Sequence, residues 1–221
     1  AGRKVPVLLK IDANAMFAGL ARFGTVSKEA TLNLAEQLHQ LPGIEFIGLY
    51  AHEMPADTTR EGMDRIAFAT ATFMAETTRK LREKGIPIEH VSVGATNTFR
   101  PTCRYIKEGK FPEITEIHPG TAVIGDIMYM KEGGVKRETC AVTVLTTVIS
   151  TSHPDFAIID AGYKTFGADY ILGAVNEPDF FWKGLPSFGS VQRRTDLRAA
   201  FLCAETGIIH YMDPNLSLIH I

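Results

Sequence analysis

Strand-length apolar runs and longer amphipathic runs alternate along the first 120 or so residues, which limits the fold more than any other feature. Val5-Pro6-Val7-Leu8-Leu9-Lys10-Ile11 is a buried-strand pattern closed by Asp12. Ser27 then reads as an N-cap, with Glu29 in the first helical turn. Ala30, Leu34, Leu38 and Leu41 recur at helical spacing until Pro42-Gly43 stops the run. Phe46 to Tyr50 is a second strand. A long helix follows from Thr59 to Lys84, with Met63, Ile66, Ala67, Phe73, Met74 and Leu81 on its inner side and Gly85 closing it. His90 to Val93 and Ile114 to His118 are the third and fourth strands. This order implies an α/β fold, a parallel sheet with crossover helices.

Near residue 137 the pattern changes. Ala141 to Ile149 and Phe156 to Asp160 are rich in β-branched residues, and His153-Pro154-Asp155 punctuates them as a turn. A second, mostly antiparallel β domain is expected there. The expected organisation is therefore residues 1–136 as the α/β part and 137–215 as the start of the β domain. Leu216 to Ile221 reads as a non-native tail. Both ends suggest an internal piece of a longer protein.

Polar or glycine-bearing segments follow each of the four strands. Asp12, His52, Gly94-Ala95-Thr96 and His118-Pro119-Gly120-Thr121 would share one edge of a parallel sheet, where active sites of barrels lie. Two of these segments combine glycine, small residues, backbone N–H groups and a threonine hydroxyl. That chemistry suits a phosphate dianion, which needs several donors and no side chain in the way. His118 precedes Pro119 and is biased to an extended conformation. Asp12, His52 and His118 could also gather as a metal-hydrolase site, but the chain has no His-x-His pair and no paired carboxylates to support one. Lys164, in Asp160-Ala161-Gly162-Tyr163-Lys164, reads as structural because it falls in the β domain.

Composition removes other classes. The net charge is −2, with both signs interspersed, which leaves no footprint for nucleic acid or an anionic membrane. The three cysteines, Cys103, Cys140 and Cys203, are widely spaced, so a reducing, cytoplasmic setting is expected without a disulfide framework. No run of about eighteen apolar residues is present to span a membrane.

The ordered set of segments resembles the alanine racemase-like, fold-type III pyridoxal-phosphate enzymes, and within them the D-threonine aldolase and D-serine dehydratase branch. The segments are Val7-Leu8-Leu9-Lys10-Ile11-Asp12, Gly48-Leu49-Tyr50-Ala51-His52, Val91-Ser92-Val93-Gly94-Ala95-Thr96-Asn97-Thr98, Thr115-Glu116-Ile117-His118-Pro119-Gly120-Thr121, Thr147-Val148-Ile149-Ser150 and Ile159-Asp160-Ala161-Gly162-Tyr163-Lys164. The resemblance implies the later strands of a (β/α)8 TIM-type barrel, followed by the start of the β domain. It implies pyridoxal 5′-phosphate, with Gly94, Ala95, Thr96, Gly120 and Thr121 gripping its phosphate. His118 falls where relatives place a cationic partner for the pyridine nitrogen. His52 falls where relatives carry a catalytic-site histidine beside the ring.

The implied activity is that of a lyase on small D-configured β-hydroxy amino acids, an aldolase or a dehydratase. A homodimer is compatible with it. A racemase or decarboxylase on the same fold, and a non-catalytic pyridoxal-phosphate carrier, are the rival readings. The carrier reading is disfavoured by the β-rich segment after residue 141.

Two positions depart from the family pattern. Phe17 falls at or near a usual arginine, and Ala122 stands where a tyrosine usually follows Thr121. The resemblance also places the cofactor lysine before residue 1. It places a His-x-Cys or His-x-Asp pair for a divalent zinc or manganese ion after Pro214. The expectation is that the chain holds no metal ligands and, taken alone, is inactive.

Overall fold

The computed structural model describes residues 2–17, 19, 23–126, 129, 134–166, 181–182, 185–190, 197–201 and 203–211. The chain divides into two compact units, 1–123 with 129–135, and 124–128 with 136–221. The tail 216–221 lies outside the described residues.

The first unit is a four-stranded parallel sheet in the order β1-β2-β3-β4 (Val5–Ile11, Ile44–Ala51, His90–Val93, Glu116–Ile117). Helices α1 (Ala13–Met16), α2 (Lys28–Gln40), α3 (Arg60–Glu83) and α4 (Phe99–Lys107) alternate with the strands. Local chemistry sets the ends of the long helices. Ser27 accepts the N–H of Ala30 at 3.1 Å, and Thr59 accepts that of Gly62 at 3.1 Å, each satisfying a donor the first turn leaves open. At the far end of α3, Gly85 adopts φ +80° and its N–H bonds Arg82 O, while the Ile86 N–H returns to Leu81 O. That is a left-handed glycine closure, the form the sequence called for.

The core lies between the sheet and the inner faces of the helices. Leu49, Met74, Leu81, Val91 and Val93 are fully buried there. Each such aliphatic side chain contributes about 1.5–3 kcal/mol on burial. The inner stripe of α2 differs from the one expected. Thr31 and Ala35 are buried and Leu38 packs against the core, whereas Leu34 and Leu41 are exposed. The helix is rotated so that its smaller residues meet the sheet. Phe17 meets Phe73 edge-on at 6.1 Å and packs against the core.

The second unit is a six-stranded antiparallel sheet ordered β5-β6-β10-β9-β8-β7 (Val148–Ser150, Phe156–Ile159, Gly207–Tyr211, Leu197–Phe201, Leu185–Ser190, Phe181–Trp182). The antiparallel expectation therefore holds, but the long strand expected over 141–149 does not. Only Val148–Ser150 pairs, and Val142, Leu145 and Ile149 are exposed. A β-branched run becomes a strand only where a partner strand presents its own edge. Here β6 pairs with Val148 and Ser150 alone. Lys164 pairs with Glu205 at 2.6 Å on the surface, consistent with a structural role.

Candidate functional site

Parallel strands end on the same edge, so the residues after β1, β2, β3 and β4 come together there. Asp12 is buried and caps α1, accepting the Ala15 N–H at 3.2 Å. Asn14, also buried, donates from Nδ2 to the carbonyl of His52 at 2.9 Å and accepts the Met54 N–H on Oδ1. It pins the chain on both sides of Glu53.

The two glycine turns follow β3 and β4 and are joined directly. The Ala122 N–H donates to Thr96 Oγ1 at 3.3 Å. Gly94 has φ +106°, a conformation that costs any residue with a Cβ. The Ala95 N–H bonds Thr98 Oγ1 at 2.9 Å, and the Gly94 N–H favours the charged form of the Glu53 carboxyl. The N–H groups of Thr96, Asn97, Gly120 and Thr121 have no protein partner among the described residues.

Beside the turns is a stack of rings. Tyr50 and His118 lie 4.4 Å apart at 17°, and His52 and His118 lie 5.6 Å apart at 19°. The Lys10 ammonium sits over the Tyr50 ring, 4.9 Å from its centroid. His118 Nδ1 and Ser92 Oγ are 2.8 Å apart, and His118 Nε2 is buried without a partner. Burial, followed by the neighbouring His52 and Lys10 charges, lowers the His118 pKa to about 4. The His118 imidazole is therefore neutral at pH 7 in this structure.

Glu53 is the residue that sequence reading missed. The residue is 1 % exposed, its Oε2 accepts the Thr98 hydroxyl at 3.2 Å, and Oε1 is buried without a partner. Burial raises its pKa to about 7. Its own N–H, the Thr98 hydroxyl, the Gly94 N–H and the Lys10 charge pull the other way. Tyr50 and Ser92 were also missed, although each left a signal. Tyr50 is two residues from His52, hence on the same strand face, and Ser92 is a polar residue inside an apolar strand.

Among the described residues no group of three or more His, Cys, Asp or Glu side chains is placed to hold a metal ion. Asp12, His52 and His118 do not form one. No described helix is long and apolar enough to cross a membrane. A cavity of about 480 Å³ opens beside α3 and α4, lined by Arg60, Asp64, Asn97, Arg100 and Arg104 among others. It contains Asn97 but none of the expected site residues.

The parallel sheet with its helices and the separate antiparallel sheet are two units of different kind, one α/β and one β. Residues 1–127 match the family model described as "Alanine racemase, N-terminal domain", and the chain belongs to that family. Residues 141–218 match the model described as "Putative serine dehydratase domain".

The chain is similar to a D-threonine aldolase from an Arthrobacter species, with 29% identity over 99% of this chain and 56% of that protein. It is also similar to a D-serine dehydratase from Dictyostelium discoideum, with 29% identity over 89% of this chain and 49% of that protein. A solved D-threo-3-hydroxyaspartate dehydratase from Delftia sp. HT23 shares the fold with a TM-score of 0.70 and 24% identity, covering 94% of this chain and 52% of that one. The chain spans about half the length of the curated relatives it matches.

Proposed function

We propose that the protein carrying this chain is a pyridoxal-phosphate-dependent lyase acting on small D-β-hydroxy amino acids, as an aldolase or a dehydratase. The observation that carries this reading is the joined pair of turns. Four unpartnered N–H groups and two threonine hydroxyls at Thr96 and Thr121 meet at one strand edge, beside a buried, unpartnered imidazole nitrogen. Such a donor set fits a phosphorylated aromatic ring. The names of the aldolase and dehydratase relatives supply the reaction class and the D-configured substrates.

On this reading Thr96, Asn97, Gly120 and Thr121 hold the phosphate. Gly94 and Ala95 shape the turn. Pyridoxal phosphate, when bound, supplies the electron sink for the pair left at Cα when a bond there breaks. His118 would meet the cofactor ring as a neutral group, with the Ser92 hydroxyl fixing its Nδ1. His52, stacked on His118, is the group assigned to move the substrate proton.

The parallel sheet is read as the later strands of a TIM-type barrel, with residues 1–136 forming the cofactor domain and 137–215 the start of the β domain. A divalent metal, a homodimer and a cytoplasmic location belong to the same proposal.

The test is to reconstitute the protein carrying this chain with pyridoxal phosphate and supply D-threonine and D-serine. Glycine plus an aldehyde identifies an aldolase, and a 2-oxo acid plus ammonia identifies a dehydratase. Cofactor binding with neither product set would overturn the lyase assignment.

A further inference from the structure

Glu53 has no part in the chemistry described so far, yet it is among the largest fully buried side chains of the molecule. It is tied to the first glycine turn by a relay of hydrogen bonds. The Thr98 hydroxyl donates to its carboxyl, and the same Thr98 oxygen accepts the Ala95 N–H. Through Thr98 the carboxyl therefore sets the orientation of the Ala95 peptide unit, while the Gly94 N–H favours its charged form. Oε1 has no protein partner in this enclosure. A buried carboxylate with one bare oxygen is costly, whereas the carboxylic acid brings no charge into the enclosure.

Of the charged groups packed around it, Lys10 of β1 acts on Glu53 across space. The turn between β3 and α4 presents only the neutral Gly94 N–H and Thr98 hydroxyl. The rings of His52 and His118 lie on the same strand edge, with His118 uncharged at pH 7. A phosphate dianion held on the outer side of this turn would face a carboxylate on its inner side, and like charges at close quarters favour the neutral acid.

We infer that Glu53 is a positioning residue for the phosphate turn and takes up one proton from solvent when a phosphate group binds there. This rests on the cofactor reading given above. The balance is simple. The ligand arrives as a dianion, the Glu53 carboxylate gains one proton, and no bond of the ligand changes. The free carboxyl titrates near 7 and is pushed up once the anion is bound, so proton uptake is small at pH 6 and approaches one at pH 8.

The probe is pyridoxine 5′-phosphate, which has no aldehyde and so cannot attach covalently to an amine. Calorimetric titration of the protein carrying this chain, in two buffers of different ionisation enthalpy, counts the protons taken up per phosphate bound. The wild type is expected to take up about one proton at pH 8 and to lose up to about tenfold in affinity per pH unit above 7. E53Q keeps the shape and cannot titrate. It should bind with no Glu53-linked uptake and with less than about a twofold change over the same range.

A second measurement needs no variant. An infrared difference spectrum of the wild type should show a protonated-carboxyl C=O band appearing on binding. If E53Q binds and takes up the same proton as the wild type, or if that band is absent, the Glu53 inference is wrong while the phosphate site stands. If the wild type does not bind pyridoxine 5′-phosphate at all, the phosphate reading fails and takes the Glu53 inference with it.

Discussion

The two glycine turns look alike in sequence and are built differently. The turn after β3 is inward-facing. Gly94 and Ala95 are buried, Gly94 adopts φ +106°, and the Ala95 N–H is spent on Thr98. The turn after β4 is open. Gly120 is exposed without a positive φ, and a Cβ added there would meet nothing within 4 Å. The first glycine is thus a requirement of the backbone, and the second is a requirement only of whatever approaches it. Thr96 Oγ1 is the bond between the rigid turn and the open one.

The sharpest way to break this contrast is G94A. The added methyl has room, with its nearest neighbours at 3.8 Å, so the cost is conformational and amounts to about 1–2 kcal/mol. Chemical denaturation should show that loss. The same variant should bind pyridoxine 5′-phosphate more weakly, because a turn that gives up φ +106° no longer presents the Thr96 and Asn97 N–H groups in the same direction. T96V comes next. It removes the acceptor for the Ala122 N–H and should lower stability by about 0.5–1.5 kcal/mol. Weakened phosphate binding should follow, as the open turn loses its anchor. G120A should leave the melting temperature unchanged. Phosphate affinity should nevertheless fall, and an equal loss of stability in G94A and G120A would erase the distinction between the turns.

The smallest expected effects concern pH. The His118 pKa is lowered from 6.5 to about 4, so between those values the unfolded chain binds more protons and stability falls as pH drops. H118Q should flatten that acid limb in a series of melts. Glu53 has the opposite sign. Its pKa is raised from 4.5 to about 7, so its contribution is full below 4.5 and lost as pH rises through 7. E53Q should therefore flatten the limb that H118Q leaves, and a wild-type slope in both variants would remove these two groups from the account.

Much of this unit was legible because its signals are local. Ser27, Thr59 and Gly85 mark helix ends by chemistry that acts within one turn, and the glycine turns follow from strand ends that share one edge. Glu53 was not legible. A glutamate beside His52 reads as a solvated loop residue, and its burial depends on Thr98, forty-five positions away in sequence. In the other unit, Ala141 to Thr147 carries strong β propensity and does not form a strand. Propensity reports what a segment tolerates, and the presence of a partner edge decides what it does.

The central claim is that the joined turns recognise a phosphate group. Its most direct test is the affinity of the protein carrying this chain for pyridoxine 5′-phosphate against pyridoxine, which has the same ring and no phosphate. Charge-assisted bonds from several N–H donors should make the phosphorylated compound bind on the order of a hundredfold tighter or more. G120A should narrow that gap without altering stability. Equal affinity for the two compounds would contradict the account.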